Sequence, residues 1–136
     1  MAIDDVEDAV RALLLANSGI TDLVVDRIHP TILPEGAVYP AITIELVTAT
    51  RITAPLLAVA DPGAVDARIQ ITAWGPIKKD VKRISKVARE AIQRWRGTID
   101  GFVIWDIITT SEGPSLYDND LLLHGAPFDY TISYPE

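Results

Sequence analysis

No cysteine occurs anywhere in the chain, which excludes a disulfide framework, a thiolate metal site and a cysteine nucleophile, and suits synthesis in a reducing compartment. Histidine is nearly as scarce. His29 and His124 lie far apart, and neither belongs to a His-x-x-x-His or Glu-x-x-His pair that would set two metal ligands on one helical face. His29 reads as a loop residue ahead of Pro30, and His124 as a strand residue at a bend beside Gly125. The glycines form neither familiar phosphate-loop spacing, and none of Ser18, Ser85, Ser111, Ser115 and Ser133 stands in a Gly-x-Ser-x-Gly elbow. Acyl or phosphoryl transfer has no support, and no metal or cofactor is expected.

Long apolar runs are missing as well. None approaches the roughly 18 residues a membrane span requires, and the first residues are acidic rather than the basic start of a signal peptide. The expectation is a protein that is neither secreted nor membrane-spanning. Basic charge is in deficit: 12 Lys+Arg against 19 Asp+Glu leave a net charge of −7, without the excess that binding a phosphate backbone relies on.

What is present is an ordinary globular composition, with 49% hydrophobic and 23% charged residues over 136 positions, enough for one core and too short for two. A single domain over residues 1–136 is expected. Ile3, Val6, Val10, Leu13 and Leu14 recur at helical spacing, and Asp4 followed by Glu7 resembles a capping box, so a first helix is predicted to run to about Ala16. Asn17-Ser18-Gly19 reads as its stop, and Leu23-Val24-Val25 as a short strand leading into the turn-rich stretch to Gly36.

From Pro40 the pattern alternates, with Ile42, Ile44 and Leu46 on one face. Val65, Ala67, Ile69, Ile71 and Ala73 alternate against Asp66, Arg68, Gln70 and Thr72 and make the clearest strand in the sequence. Between them, Pro55 and Asp61-Pro62-Gly63 break any central strand, so residues 48–64 read as an extended arm or long hairpin. Val81, Ile84, Val87, Ala88, Ala91, Ile92 and Trp95 predict a second helix over 78–96 stopped by Gly97. Strands are expected over 102–110 and 121–134, with turns at Glu112-Gly113-Pro114 and Tyr117 to Asp120. The fold class that follows is α+β: a mixed or mostly antiparallel sheet with two helices on one face and a long hairpin or loop arm.

Three features invite function. The carboxylate pairs Asp4/Asp5 and Asp118/Asp120 fall at a helix start and a turn, where Asp is favoured for capping, and the run Asp118-Asn119-Asp120 is consecutive where calcium loops alternate their ligands. Lys78, Lys79, Lys82, Arg83, Lys86, Arg89, Arg94 and Arg96 concentrate most of the positive charge on one helix, which reads as a solvated face or as a contact for nucleic acid or, better, an acidic protein neighbour, with Lys78, Lys79, Lys82, Arg83 and Lys86 as the candidate partner-facing residues. Leu56-Leu57-Ala58-Val59-Ala60 is an uncharged apolar run in what should be a surface arm; it either covers the core or is covered by another subunit.

Asp26-Arg27-Ile28-His29-Pro30, Pro34-Glu35-Gly36, Tyr39-Pro40-Ala41-Ile42, Ala67 to Trp74 with the helix after it, and the closing Asp129 to Tyr134, taken in order, resemble the tail-completion, or tail-terminator, proteins of tailed bacteriophages. The resemblance covers nearly the whole chain. It implies a virion structural protein, not an enzyme. Such a protein is made in the host cytoplasm and forms a homo-oligomeric ring, commonly a hexamer, that caps the tail tube and joins it to the head connector. It tips the apolar run toward an inter-subunit role, with Arg51, Ile52, Leu56, Leu57 and Val59 as contacts, the basic helix as a second contact, and DNA passing through without specific binding. The rival readings are another head-to-tail connector or tail component, and a small enzyme or ligand-binding domain built from Asp, Glu, Tyr and backbone groups.

Overall fold

The computed structural model describes residues 5–52 and 63–135. Helix α1 (Val6–Leu15) starts where Asp5, in extended backbone, accepts the Glu7 amide at 2.7 Å. The cap is therefore Asp5; the Asp4 proposed for that role lies outside the described residues. The Glu7 carboxylate does not reach back to close a capping box but takes the Leu46 amide at 2.8 Å. Val6, Ala9, Val10, Leu13 and Leu14 form the buried stripe.

A second helix, α2 (Ser18–Val24), replaces the strand expected at Leu23–Val25. Asn17 is a start signal rather than a stop. Its side chain accepts the Ile20 amide at 3.2 Å, and Ile20 and Val24, one turn apart, are both buried. Burial of that pair outweighs the β-propensity of the valines. Among the described residues three helices therefore stand where two were expected.

The main sheet has six strands. β1 (Ile28–Pro30) runs parallel to β2 (Ala41–Ile52), which pairs antiparallel with β3 (Ala64–Gly75). After α3 (Lys78–Ile92), the strands β4 (Gly97–Ile99) and β5 (Phe102–Ile104) form a separate two-stranded hairpin. β6 (Asp106–Glu112) and β7 (Leu116–Asp118) both pair antiparallel with β8 (Leu123–Pro135), giving the order β1-β2-β3-β8-β6 with β7 also on β8. The sheet is mixed, and the α+β class is as the pattern required.

The period-2 alternation sets the register. Ile44 faces Ile71 and Ile71 faces Phe128, while Ile69 faces Tyr130 and Ala67 faces Ile132, so one face of β2, β3 and β8 is a continuous apolar plate. Helices α1, α2 and α3 cover it in one core cluster.

Helix α3 ends at Ile92, earlier than the expected 96. Gln93 leaves helical geometry, Arg94 takes φ 64, and the Arg94 amide bonds to the Ile107 carbonyl of β6 at 2.6 Å. Gly97 is thus not a helix stop: it opens β4 at φ 144, with a Cβ there only 3.3 Å from the Trp95 indole. The strand expected over 102–110 is broken at Trp105, whose amide bonds to Ser133 of β8. Asp118 Oδ1 accepts the Asp120 and Leu121 amides at 2.9 and 3.0 Å, an Asx turn in place of a cation ligand.

Candidate functional site

Along α3, Lys82, Lys86, Arg89 and Gln93 recur at spacings of 4, 3 and 4, one stripe on the flank turned toward β6 and β8. The opposite flank, at Val87, faces Gly19 of α2. Between the stripe and the sheet lies a trough of about 230 Å³. Its floor is Ser85, Pro127 and Phe128, and its far wall is Glu112, Gly113 and Ser115. Ser85 Oγ donates to the Ala126 carbonyl at 3.2 Å, pinning α3 to β8. Gly113 permits the close wall, since a Cβ there would meet Pro127 Cγ at 2.7 Å.

The cations differ in exposure. Arg89 is held, donating to Gln93 Oε1 at 3.2 Å with its guanidinium carbon 5.8 Å from the Phe128 ring centroid, and the Thr109 hydroxyl donates to the same Gln93 oxygen at 3.0 Å. Lys82 and Lys86 are exposed. Beneath them Tyr130 is buried, with no hydrogen-bond partner for its hydroxyl among the described residues. Burial raises its phenol pKa against the opposing pull of the Arg89 charge.

The other side of the protein is acidic. At the start of α1, Asp5 and Asp8 are exposed and Glu7 is tied to β2, while Glu45 is exposed on β2 itself. Arg11 and Arg27 on this side donate to backbone carbonyls, of Ile28 at 3.0 Å and Pro40 at 2.8 Å. Residues 1–26 carry Asp4, Asp5, Glu7, Asp8, Asp22 and Asp26 against Arg11, so 1 − 6 = −5, and α3 carries six Lys+Arg against Asp80 and Glu90, so 6 − 2 = +4.

On the sheet face away from the helices, Asp129 accepts hydrogen bonds from Arg68, Gln70 and Ser111. Burial works to raise its pKa, but those bonds and the Arg68 charge outweigh it and hold the carboxyl below the ordinary carboxylate range. The group is a cross-strand tie of β3, β8 and β6. A second hollow of about 230 Å³ lies on this face against Trp74, lined by Ile32, Leu33, Leu121 and Leu123. Among the described residues no three His, Cys, Asp or Glu side chains gather as a metal cage requires, and no helix is long and apolar enough to cross a membrane.

The model of the family described as tail completion protein gp17 matches residues 8–134. The chain belongs to that family. Like other tail completion proteins it is a structural component of a phage tail and resides in the virion. A chain of the virion of a native gene transfer agent particle shares the fold, with a TM-score of 0.71 over 96% of this chain and 94% of that one at 10% identity. No curated protein matches.

Within this tail completion protein, Lys82 and Lys86 are brought together at the trough, whereas Lys78, Lys79 and Arg83 are exposed on α3 outside it. Arg51 is exposed on β2 opposite Val65, and Ile52 ends the strand opposite Ala64. Leu56, Leu57 and Val59 lie outside the described residues. The 4-3-4 spacing would have added Arg89 to the site from sequence alone. Phe128 and Glu112 join it only through the β6–β8 pairing, which no local pattern reveals.

Proposed function

We propose that this tail completion protein assembles into a homo-oligomeric ring, a hexamer in the family's usual form, that caps the tail tube and joins it to the head connector. The observation that carries the reading is the outer half of β2. From Glu45 to Arg51 the strand is exposed although paired to β3, β1 having ended opposite Ile44, and Leu46 and Val47 show 39% and 47% of their surfaces. A one-sided strand that exposes Leu46 and Val47 and leads in sequence into Leu56-Leu57-Ala58-Val59-Ala60 is a surface that a neighbouring subunit covers. Arg51, Ile52, Leu56, Leu57 and Val59 are its contacts in this reading. The net charge of −7 suits a ring through which DNA slides without being held.

The test is the solution mass by light scattering of the protein and of a Leu56→Asp/Leu57→Asp variant. A ring mass for the former and the 14.8 kDa protomer for the latter is the expected result. A parent protein that stays monomeric at every concentration overturns it. Electron microscopy of tails assembled with the protein should then show a ring at the tube end that faces the head.

A further inference from the structure

We infer that the trough under Lys82, Lys86 and Arg89 receives the acidic start of α1, around Asp5 and Asp8, from a second copy of this chain, joining neighbours head to tail by charge. The inference rests on the ring reading and names the surfaces that would meet.

The two patches are held by different strands, although α1 packs against α3. Helix α1 is anchored over β1 and β2 through Arg11 to Ile28 and Glu7 to Leu46, and the trough flanks β6 and β8 at the far side of the sheet. No residue of α1 lines the trough of its own chain. A contact between unlike patches uses each once per copy and repeats around an axis, which is the geometry that closes a ring, whereas trough against trough sets like charges together.

Strand addition, the competing mode, is interrupted at one point on each of β2 and β6. β2 carries an irregularity between Leu46 and Thr48 and has its Leu46 amide already taken by Glu7, and β6 carries one between Thr109 and Ser111 with its Ile107 carbonyl taken by Arg94. Six acids against one base in residues 1–26 supply the complement to the +4 of α3.

A charge-swap experiment decides. Lys82→Glu/Lys86→Glu alters exposed lysines, and Asp5→Asn/Asp8→Lys keeps a capping side chain at Asp5, so circular dichroism should show both variants folded. Each alone should fall from ring mass to the 14.8 kDa protomer, and an equimolar mixture should regain ring mass, because the acidic trough of one variant then meets the basic α1 start of the other while the two unaltered patches meet each other. Ring mass of the parent protein should also decline as salt rises to about 0.5 M.

Variants that both keep ring mass overturn this contact while the ring stands. Protomeric variants that do not recover on mixing show that the two patches are not partners. Retarded migration of a short DNA duplex by the parent protein, abolished by Lys82→Glu/Lys86→Glu, assigns the trough to nucleic acid instead. A parent protein that never forms a ring overturns the ring reading and this contact together.

Discussion

The Glu7 carboxylate of α1 meets the Leu46 amide of β2 at 2.8 Å across 39 residues of sequence, at the point where β1 has ended and the outer edge of β2 would otherwise offer a free donor. The bond is exposed, so solvent screens it, and Glu7→Ala should cost no more than about 1 kcal/mol in urea unfolding. Its sharper signature is local. Amide exchange at Leu46 should quicken in the variant while that of Ile69, on the buried strand next door, stays put; equal Leu46 exchange in both proteins would mean that the edge is not guarded this way.

Asp129 carries the pH dependence. Its folded pKa lies below the ordinary value of 3.8, so the stability it contributes is fully present above that value and is lost as the pH falls through the lower folded pKa. Asp129→Asn keeps the shape but weakens the bonds from Arg68, Gln70 and Ser111; with the Arg68 side chain half exposed, the loss should be about 1–2 kcal/mol above pH ~5. Thermal unfolding from pH 7 to 2 should show the two proteins converging at the acid end. A constant gap would assign the effect to packing alone.

Tyr130 buries a hydroxyl with no partner among the described residues, in the apolar layer between α3 and the sheet. Deleting an unsatisfied buried donor removes a desolvation cost, so Tyr130→Phe should be neutral or more stable by about 1 kcal/mol. A clear drop in Tm would reveal a bond made by that hydroxyl in solution.

Legibility in the sequence followed the physics of each segment. The strands at Ile42 and Val65 were plain because one face of each is buried and the other is not, which forces period 2 into the composition, and α1 was plain because its stripe is buried along its whole length. α2 was hidden because seven residues give only one turn of apolar spacing, too little to oppose three β-prone residues at Leu23–Val25, and the deciding signal was the dual nature of Asn17, as good a cap as a stop. The end of α3 was misplaced for a similar reason: Trp95 continues the apolar spacing but reaches the core from a turn fixed by the tertiary bond from Arg94 to Ile107. For the candidate site, the basic stripe is a local pattern and could be read, whereas Phe128 and Glu112 enter through pairing of strands far apart in the chain.

Gly125 tests whether the back of the sheet is packed as tightly as its core. It faces Trp74 in the β3–β8 register, and a Cβ at that position would lie 2.8 Å from the indole Cζ3 and 3.0 Å from Cε3. The ring cannot readily swing away, because its Nε1 donates to Thr43 Oγ1 at 3.0 Å. Gly125→Ala should therefore destabilise by about 1–3 kcal/mol, the range for overpacking. Gly36→Ala provides the contrast: nothing lies within 4 Å of a Cβ there, and its cost of about 1 kcal/mol would come from φ +73 alone. The two mechanisms separate on a Trp74→Ala background, where the space opened beside Gly125 should absorb the new methyl and shrink the penalty of Gly125→Ala while leaving that of Gly36→Ala unchanged. Equal penalties for Gly125→Ala with and without Trp74 would place the cost in the backbone rather than in the contact with the indole.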